Sequence, residues 1–365
     1  MSTIDIRSSF GPRSPKRERR WLRYSLRTLF LVTSLVALIG GWLRSRTAGY
    51  VEQRKAANFL RLLGGTFTRR PAEPKWLWRR FGRFPDVDCA NVVSIDLSGR
   101  RKLRDEHLAA LEQLPYVEVL RLSNTAITDV GMRSLRSLSY LKDLDLDNTS
   151  ITDAGLAVIG HLRRLRLLRL DGTSVTNDGL AHLNALRDLE LLHLRGTNVS
   201  DVGMVHLQDL HNLSCVDPGD NVGDEGIKQL CRLSRLTTLT VGEMVTDKGL
   251  REVSRVQGVT SLDVSICRVT DAGIVSLANL PYLGNIVLRG PNMSDAALVP
   301  AAKLHALTDL TLHGSGVTAN GLRALNQSRS LRRLSLIDSP LDYADAVQTL
   351  PRVIISYERS RSFQN

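Results

Sequence analysis

The sequence predicts an α/β solenoid, a curved horseshoe with parallel strands on its concave side and helices on its convex side. Residues 141–164 and 165–188 repeat one 24-residue pattern, L-x-x-L-x-L-x-x-T-x-(I/V)-T-(D/N)-x-G-L-x-x-(I/L)-x-x-L. Within each unit the apolar residues first alternate, as in a strand, and then follow helical spacing. A fixed period of this length indicates coils that stack around one continuous core.

The amino-terminal part of the chain is predicted to carry a membrane anchor. Residues 1–20 are polar and basic, so we expect a disordered tail. Residues 28–43 contain no charged side chain, and together with the residues before them they predict a single transmembrane signal-anchor helix at 21–43. A cleaved signal peptide is the alternative, but the run ends without a small-x-small cleavage site. More basic residues precede the span than follow it, which predicts a cytoplasmic amino terminus and extracytoplasmic repeats at the cell membrane.

Two short segments are predicted between the anchor and the repeats. Residues 44–75 are expected to form a juxtamembrane helix and then a linker, because Pro71 and Pro74 interrupt regular structure. Residues 76–91 hold four large aromatic side chains within nine positions. We interpret this segment as an N-terminal cap over the open end of the solenoid, with an aromatic ligand site as the alternative.

Residues 92–352 are predicted to hold eleven repeats. Alternate leucines such as Leu144 and Leu146 should point inward from each strand. The ninth position is a small hydroxyl or thiol, which can bond to the backbone where the strand ends. This column contains Thr125, Thr149, Thr173, Thr197, Cys267, Ser315 and Ser339.

The start of each predicted helix has its own signature. A threonine or serine that can cap the helix precedes an acid that suits the positive end of the helix dipole, as in Thr152-Asp153. Gly155 and its counterparts follow two residues later, which indicates a close approach of neighbouring coils. Residues 353–365 are predicted to be a C-terminal cap and tail.

This pattern resembles the leucine-rich repeat family over residues 92–357. The T-D-x-G-L helix start, seen at residues 152–156, is similar to the cysteine-containing subtype found in F-box substrate receptors. The anchor string RYSLRTLFLVTSLVALIGGW resembles those of bacterial membrane-anchored proteins with extracytoplasmic repeats. The resemblance implies binding of a protein or peptide by the concave face. A self-associating architectural protein at the membrane and a ubiquitin-ligase substrate adaptor are the alternatives.

Charge separates the two parts of the chain. Residues 1–85 carry 19 Lys and Arg against four Asp and Glu, which leaves 30 basic and 33 acidic residues in the remainder. The formal net charge of +12 therefore belongs to the amino-terminal segment. Nucleic acid is not a predicted partner of the repeats.

Charged residues at the exposed positions of the predicted concave face are the candidate partner-binding residues. Three carboxylates lie on one face of one strand and arginines surround them, so the patch suits a basic peptide, with a calcium ion as an alternative. A solvated ladder of mutually neutralising charges is the other interpretation. The candidates are Arg121, Asp143, Asp145, Asp147, Arg169, Asp171, His193, Arg195 and Asp217.

Catalysis is not predicted. The chain has no Gly-rich phosphate loop, no H-E-x-x-H and no serine elbow, and its four cysteines are widely spaced. His193 beside Asp217 resembles an oriented base, yet no nucleophile is well placed next to it. We therefore predict no catalytic residue, no cofactor and no resident metal.

Overall fold

The computed structural model describes residues 26–71, 90–264, 268–290 and 293–358. Residues 1–48 and residues 49–365 form two compact units. The predicted tail at residues 1–20, most of the predicted cap at 76–91 and the end of the predicted C-terminal tail lie outside the described residues.

The described strands form one sheet of thirteen strands in chain order. β1 and β2 are antiparallel, and every later neighbour pair is parallel. The strands are β1 (Thr66–Pro71), β2 (Ala90–Asp96), β3 (Val119–Arg121), β4 (Asp143–Asp145), β5 (Leu167–Arg169), β6 (Leu191–His193), β7 (Cys215–Asp217), β8 (Thr238–Val241), β9 (Ser261–Val264), β10 (Asn285–Arg289), β11 (Asp309–His313), β12 (Arg333–Ile337) and β13 (Ile354–Glu358). One strand per repeat, each parallel to the last, confirms the predicted α/β solenoid.

One long helix precedes the first strand, and short helices connect most of the later strands. The α-helices are α1 (Leu26–Leu62), α2 (Asp129–Met132), α3 (Asp153–Ile159), α4 (Asn177–Leu180), α5 (Asp224–Leu230), α6 (Asp247–Val253), α7 (Asp271–Ser276), α8 (Leu298–Ala302), α9 (Ala319–Leu322) and α10 (Tyr343–Thr349). The 3-10 helices are Asp105–Gln113, Arg133–Ser137, Ala181–Ala185, Asp201–Leu207, Leu277–Asn279, Asp295–Ala297 and Arg323–Gln327. The tighter 3-10 form suits connections that hold only one or two turns.

The core is a single apolar cluster that runs through the repeats from Ala56 to Leu350. Leu144 and Leu146 point into it from one strand, and Leu156 reaches it from the helix that follows, each with no exposed surface. Each coil therefore buries its apolar side against its neighbours, as the leucine spacing predicts.

The T-D-x-G signature proves to be a clasp between consecutive repeats. The Thr152 hydroxyl caps α3 by accepting the Ala154 amide at 3.3 Å. Asp129 of the preceding repeat accepts both the Thr152 amide, at 2.9 Å, and the Thr152 hydroxyl, at 2.6 Å. A Cβ at Gly155 would lie 2.6 Å from Asp129 Oδ1, so glycine leaves room for this carboxylate. The predicted close approach of neighbouring coils is confirmed.

The same clasp recurs along the solenoid, with both bonds present in each case. The pairs are Asp105 with Thr128, Asp129 with Thr152, Asp153 with Thr176, Asp224 with Thr246, Asp247 with Thr270, Asp271 with Ser294, and Asp295 with Thr318.

The four ninth-position threonines are buried and bond to the backbone, as expected, whereas the buried Ser315 hydroxyl of the same column has no hydrogen-bond partner among the described residues. Thr125, Thr149, Thr173 and Thr197 each donate to the carbonyl three residues earlier at 2.6 Å. They satisfy an acceptor that the parallel ladder does not reach. Cys267 of the same column lies outside the described residues.

The chain before the first repeat matches the sequence prediction in part. The helix expected within residues 44–75 is present as the end of α1, which ends at Leu62, whereas Thr66–Pro71 is an edge strand where a linker was expected. Pro71 fits there because it ends a strand at the edge of the sheet, where proline is tolerated. Within the second unit, Ala56 and Leu60 from the end of α1 join the core.

The prediction of a transmembrane helix at residues 21–43 is not supported by the described residues. Within them, no helix combines the length and the apolar content that a membrane crossing requires. Residues 21–25 of the predicted span lie outside the described part.

Candidate ligand-binding surface

One face of the sheet is open to solvent in the described structure. Along β4, Leu144 is buried, whereas Asp143 and Asp145 on either side of it are partly exposed. The same alternation occurs in the neighbouring strands. We call the partly exposed side chains of β2–β12 the open face; it corresponds to the predicted concave surface.

Five predicted site residues form a row across this face. Strand register pairs Arg121 with Asp145, Asp145 with Arg169, Arg169 with His193, and His193 with Asp217. Neighbouring parallel strands lie about 4.8 Å apart, so the predicted ladder of charges is confirmed as a geometric feature. Its role in binding stays a prediction.

The arginines of the row pair with Asp143 rather than with Asp145. Asp143 Oδ2 lies 3.9 Å from Arg121 Nη2, and Asp143 Oδ1 lies 3.6 Å from Arg169 Nη1. Asp143 is therefore the centre of the charge cluster, and its side chain is only 13% exposed. The sequence identified the three residues but not this diagonal pairing, because the pairing depends on side-chain directions across strands.

The Asp143 carboxyl has a raised pKa and one oxygen without a hydrogen bond among the described residues. Burial raises the pKa of its carboxyl, Arg169 and Arg121 oppose this rise, and Asp145 adds to it. Among the described residues, no donor makes a hydrogen bond to the buried Oδ1. An ion-paired carboxylate with an unfilled acceptor is suited to an incoming N–H donor.

Asp147 and Asp171 have a structural role that the sequence analysis missed. Asp147 Oδ1 accepts the Asp171 amide at 2.8 Å, and Asp171 Oδ1 accepts the Arg195 amide at 2.7 Å. Each carboxylate therefore joins its own repeat to the next. The sequence does contain a feature that could have indicated this role. Asp147 and Asp171 are 24 residues apart, and each directly precedes a residue with a left-handed backbone conformation, Asn148 or Gly172.

Burial at this site also raises the pKa of the Asp147 carboxyl, and the Asp171 amide opposes that rise. His193 Nδ1 lies 3.9 Å from Asp171 Oδ2, and Arg195 Nε lies 3.8 Å from Asp220 Oδ1. His193 therefore makes its ion-pair contact with Asp171, although Asp217 is its register neighbour on β7, as the sequence suggested.

Asp217 is another partly buried carboxylate of the predicted set. Burial raises its pKa, a Gly219 amide bond at 3.2 Å opposes the rise, and Asp171 adds to it. Its neighbour Cys215 has a pKa raised by burial and by Asp217, so its thiol is a poor nucleophile.

The three carboxylates predicted on one strand do not assemble a calcium site, and β4 ends at Asp145, so Asp147 lies beyond the strand. Within the described residues, no group of three or more histidine, cysteine or acidic side chains is placed to hold a metal ion. Alternate residues of a strand are about 6.6 Å apart, which is too wide for Asp143, Asp145 and Asp147 to share one cation.

The open face continues beyond the predicted residues. Asp263 lies on β9, and burial raises the pKa of its carboxyl while Arg289 opposes the rise. Further along, His313 Nε2 lies 3.1 Å from Asp338 Oδ2. The sequence analysis missed these residues because it followed charge alternation, which weakens after Asp217.

The chain belongs to the leucine-rich repeat family, since a sequence model of the leucine-rich repeat region matches residues 84–320. The leucine-rich repeat ectodomain of the Arabidopsis receptor kinase HAESA, solved with an N-terminally extended IDA peptide hormone, has a TM-score of 0.51 and 16% identity. That match covers 84% of this chain and 62% of the ectodomain, and it shows a common fold.

Two proteins of Listeria monocytogenes are also similar. An internalin, InlF, has a TM-score of 0.49 and 20% identity, covering 76% of this chain and 87% of its own. An internalin C2 has a TM-score of 0.44 and 27% identity, covering 56% of this chain and 83% of its own. A search of curated proteins finds no match.

Proposed function

We propose that the open face binds a protein or peptide ligand, and that binding rather than catalysis is the function of the chain. The observation that carries the proposal is Asp143, an ion-paired and largely buried carboxylate whose Oδ1 lacks a hydrogen bond among the described residues. An arginine or lysine of a ligand can donate a hydrogen bond to this oxygen. It would either displace the flanking arginines or share the Asp143 carboxylate with them. The leucine-rich repeat fold supports the proposal, because proteins of this fold commonly bind proteins or peptides.

The ligand expected at this position is a peptide segment with mixed charge. Basic groups would contact Asp143, while Arg121 and Arg169 would pair with acidic groups next to them. Such complementarity gives specificity and association rate more than it gives affinity.

Site-specific photo-cross-linking in the full chain tests the proposal. A photoreactive residue at Asp145 should form an adduct with another protein, and the same residue at Ala154 on the exposed helix side should not. Adding Asp143→Asn, which keeps the side-chain shape, should reduce the Asp145 adduct at least fivefold. Equal adducts at both positions would refute binding by the open face.

A second candidate is an architectural protein that associates with itself through its helix side. Val202 and Val205 project from the 3-10 helix Asp201–Leu207 with exposures of 68% and 48%. Val130 is exposed to 59% on the same helix layer. In this case cross-linkers on the helix side would give mainly adducts between copies of the chain.

Subtype and location are separate proposals that depend on the sequence alone. We infer a bacterial, membrane-anchored member of the family with residues 21–43 as the anchor, its amino terminus in the cytoplasm and its repeats outside. The likeness of the helix start to F-box receptors makes a ubiquitin-ligase adaptor the alternative. Protease treatment of intact cells distinguishes the membrane-anchored protein from the adaptor. Repeats outside the cytoplasm are digested before lysis, whereas repeats in the cytoplasm are digested only after it.

A further inference from the structure

A cavity lies where three consecutive helical segments lead into strands. It has a volume of about 580 Å³, and its walls come from the ends of the 3-10 helix Leu277–Asn279, of α8 and of the 3-10 helix Arg323–Gln327. Ala278, Ala302 and Leu304 supply an apolar wall. Sites for small molecules have volumes of this order. The lining residues precede the strands, so the cavity is separate from the open face.

The repeat pattern is broken beside this cavity. The position three residues before the first leucine of a repeat is Leu280 and then Leu304 in the two preceding repeats, and these side chains are 2% and 1% exposed. Ser328 holds the next equivalent position, 24 residues after Leu304. Its chain neighbours, Gln327 and Arg329, both line the cavity. Serine is smaller than leucine, so it fills less of the space between coils.

The turn at Ser328 keeps its shape without the leucine. Ser328 Oγ accepts the Leu331 amide at 3.2 Å, and the Ser330 hydroxyl donates to the Leu304 carbonyl at 3.2 Å. In the preceding repeat, the Leu307 amide donates to the Leu304 carbonyl at 3.3 Å instead. The serine hydroxyl therefore replaces a backbone acceptor, and the missing apolar side chain leaves room without unfolding the turn.

The polar part of the cavity is basic. Lys303, His305 and Arg329 line it, and none of the lining residues in the described structure is acidic. Elsewhere the repeats place an acid beside such a group. Arg187 holds the position of Arg329 in an earlier repeat, and its Nη2 lies 3.8 Å from Asp209 Oδ2. The lining of the cavity supplies no such acid, so its positive charge is available to a ligand.

The helix ends at the cavity do not cancel this charge. A helix carboxyl end carries roughly half a negative elementary charge, so three ends supply at most about one and a half. Lys303 and Arg329 carry one full positive charge each, and protonation of His305 adds another. The balance inside the cavity is therefore positive and favours an anion.

We propose that this cavity binds a small phosphate monoester, whose phosphate contacts Lys303, His305 and Arg329 and whose carbon part lies against the apolar wall. Such a phosphate carries a charge of about −1.5 to −2 at neutral pH and three acceptor oxygens. Donors from two consecutive repeats can share those three oxygens, whereas a carboxylate offers only two. The apolar wall favours an organic phosphate over inorganic phosphate.

Isothermal titration calorimetry of the full chain with phenyl phosphate tests the charged contacts. Arg329→Gln should weaken binding about tenfold, because it removes a charge-assisted hydrogen bond. Arg163→Gln is the matched control, since Arg163 holds the same repeat position and is exposed but lies outside the cavity. The basic amino-terminal segment is identical in both variants, so their difference reports the cavity alone. Equal affinities of the two variants, or no binding by the unmodified protein, would overturn the proposal.

A second pair of variants tests the cavity itself. Ser328→Leu restores the repeat pattern and should fill the cavity, which would weaken phenyl phosphate binding about tenfold without changing any charge. Ser328→Ala loses the same hydroxyl but leaves the cavity open, so its affinity should stay within about twofold of the unmodified protein. Equal binding by the two, with both shown folded by circular dichroism, contradicts the site. Arg329→Gln alters only an exposed side chain and decides the matter if Ser328→Leu does not fold.

A phosphate on a membrane is distinguished from a soluble one by sedimentation with vesicles. Vesicles of phosphatidylcholine that contain phosphatidic acid present a phosphate monoester at a lipid surface. Arg329→Gln should leave vesicle binding unchanged, because the proposed ligand is soluble. Vesicle binding that Arg329→Gln abolishes, with no binding of phenyl phosphate, would overturn the proposal in favour of a lipid site.

Discussion

The hydrogen bonds between consecutive repeats lead to a prediction about Gly179→Ala. This substitution should destabilise the protein when the Asp153 carboxylate is present and should not destabilise it when that carboxylate is removed. Thr176 donates its amide at 2.8 Å and its hydroxyl at 2.6 Å to Asp153 of the preceding repeat. A Cβ at Gly179 would overlap Asp153 Oδ1 and lie 2.9 Å from its Cγ. We therefore expect Gly179→Ala to lower the free energy of unfolding by about 1–3 kcal/mol, the usual cost of overpacking.

Removing the carboxylate should reverse this effect. Asp153→Ala alone loses two bonds to a charged acceptor, so we expect it to cost roughly 2–4 kcal/mol. Once that side chain is gone, only Leu156 Cδ1, at 3.1 Å, crowds the new methyl group, and a flexible side chain can adjust. Adding Gly179→Ala to Asp153→Ala should then be neutral or stabilise by up to about 1 kcal/mol, because alanine favours helix more than glycine does.

Urea unfolding of the full chain, followed by circular dichroism, measures all four members of this cycle. Gly49→Ala is the matched control, since Gly49 is helical and a Cβ there meets no atom within 4 Å. The control should be slightly stabilising in both backgrounds. If Gly179→Ala has the same effect with and without Asp153, the steric account of the glycine column is refuted.

Three further predictions concern single side chains. Asp217→Asn keeps an oxygen that can accept the Gly219 amide. In the unmodified protein, burial raises the pKa of the Asp217 carboxyl, so this carboxyl binds a proton more readily in the folded state than in the unfolded state. The contribution of Asp217 to stability should therefore rise as the pH falls from above its folded pKa to its unfolded pKa. Asp217→Asn should be more stable than the unmodified protein at pH 7, and this difference should shrink over that pH window; urea unfolding of both proteins at several pH values checks this. Burial raises the pKa of the Cys231 thiol to about 12, so its alkylation by iodoacetamide at pH 8, followed by mass spectrometry, should be at least tenfold slower in the folded than in the unfolded protein. Thr173→Val removes the 2.6 Å hydroxyl donor to the Leu170 carbonyl, which keeps only the longer bond from the residue-173 amide at 3.2 Å, so the change should cost about 1 kcal/mol in urea unfolding. Thr173→Ser keeps the hydroxyl and should cost less; equal losses would contradict the hydrogen-bond account.

The amino-acid sequence by itself determined the repeat unit and the order of the sheet. Leucines at fixed offsets in a 24-residue period allow one arrangement of strand, turn and helix, because no coil can bury its apolar side alone. The row from Arg121 to Asp217 followed from this regularity, since equivalent positions of successive repeats must become neighbours. The hydroxyl column and the glycine column were predicted for the same reason.

Only the tertiary structure decided which groups touch across repeats. Asp153 was predicted to favour the helix dipole of its own repeat, yet its oxygens accept hydrogen bonds from Thr176 of the next one. Asp143, rather than Asp145, became the centre of the charged site because side chains lean diagonally between strands, which a one-dimensional pattern cannot express. The strand at Thr66–Pro71 was likewise hidden, because its pairing partner lies some 25 residues away and its own composition indicates a linker. Local spacing specifies a repeating backbone, whereas contacts between distant residues depend on packing that forms only when the coils stack.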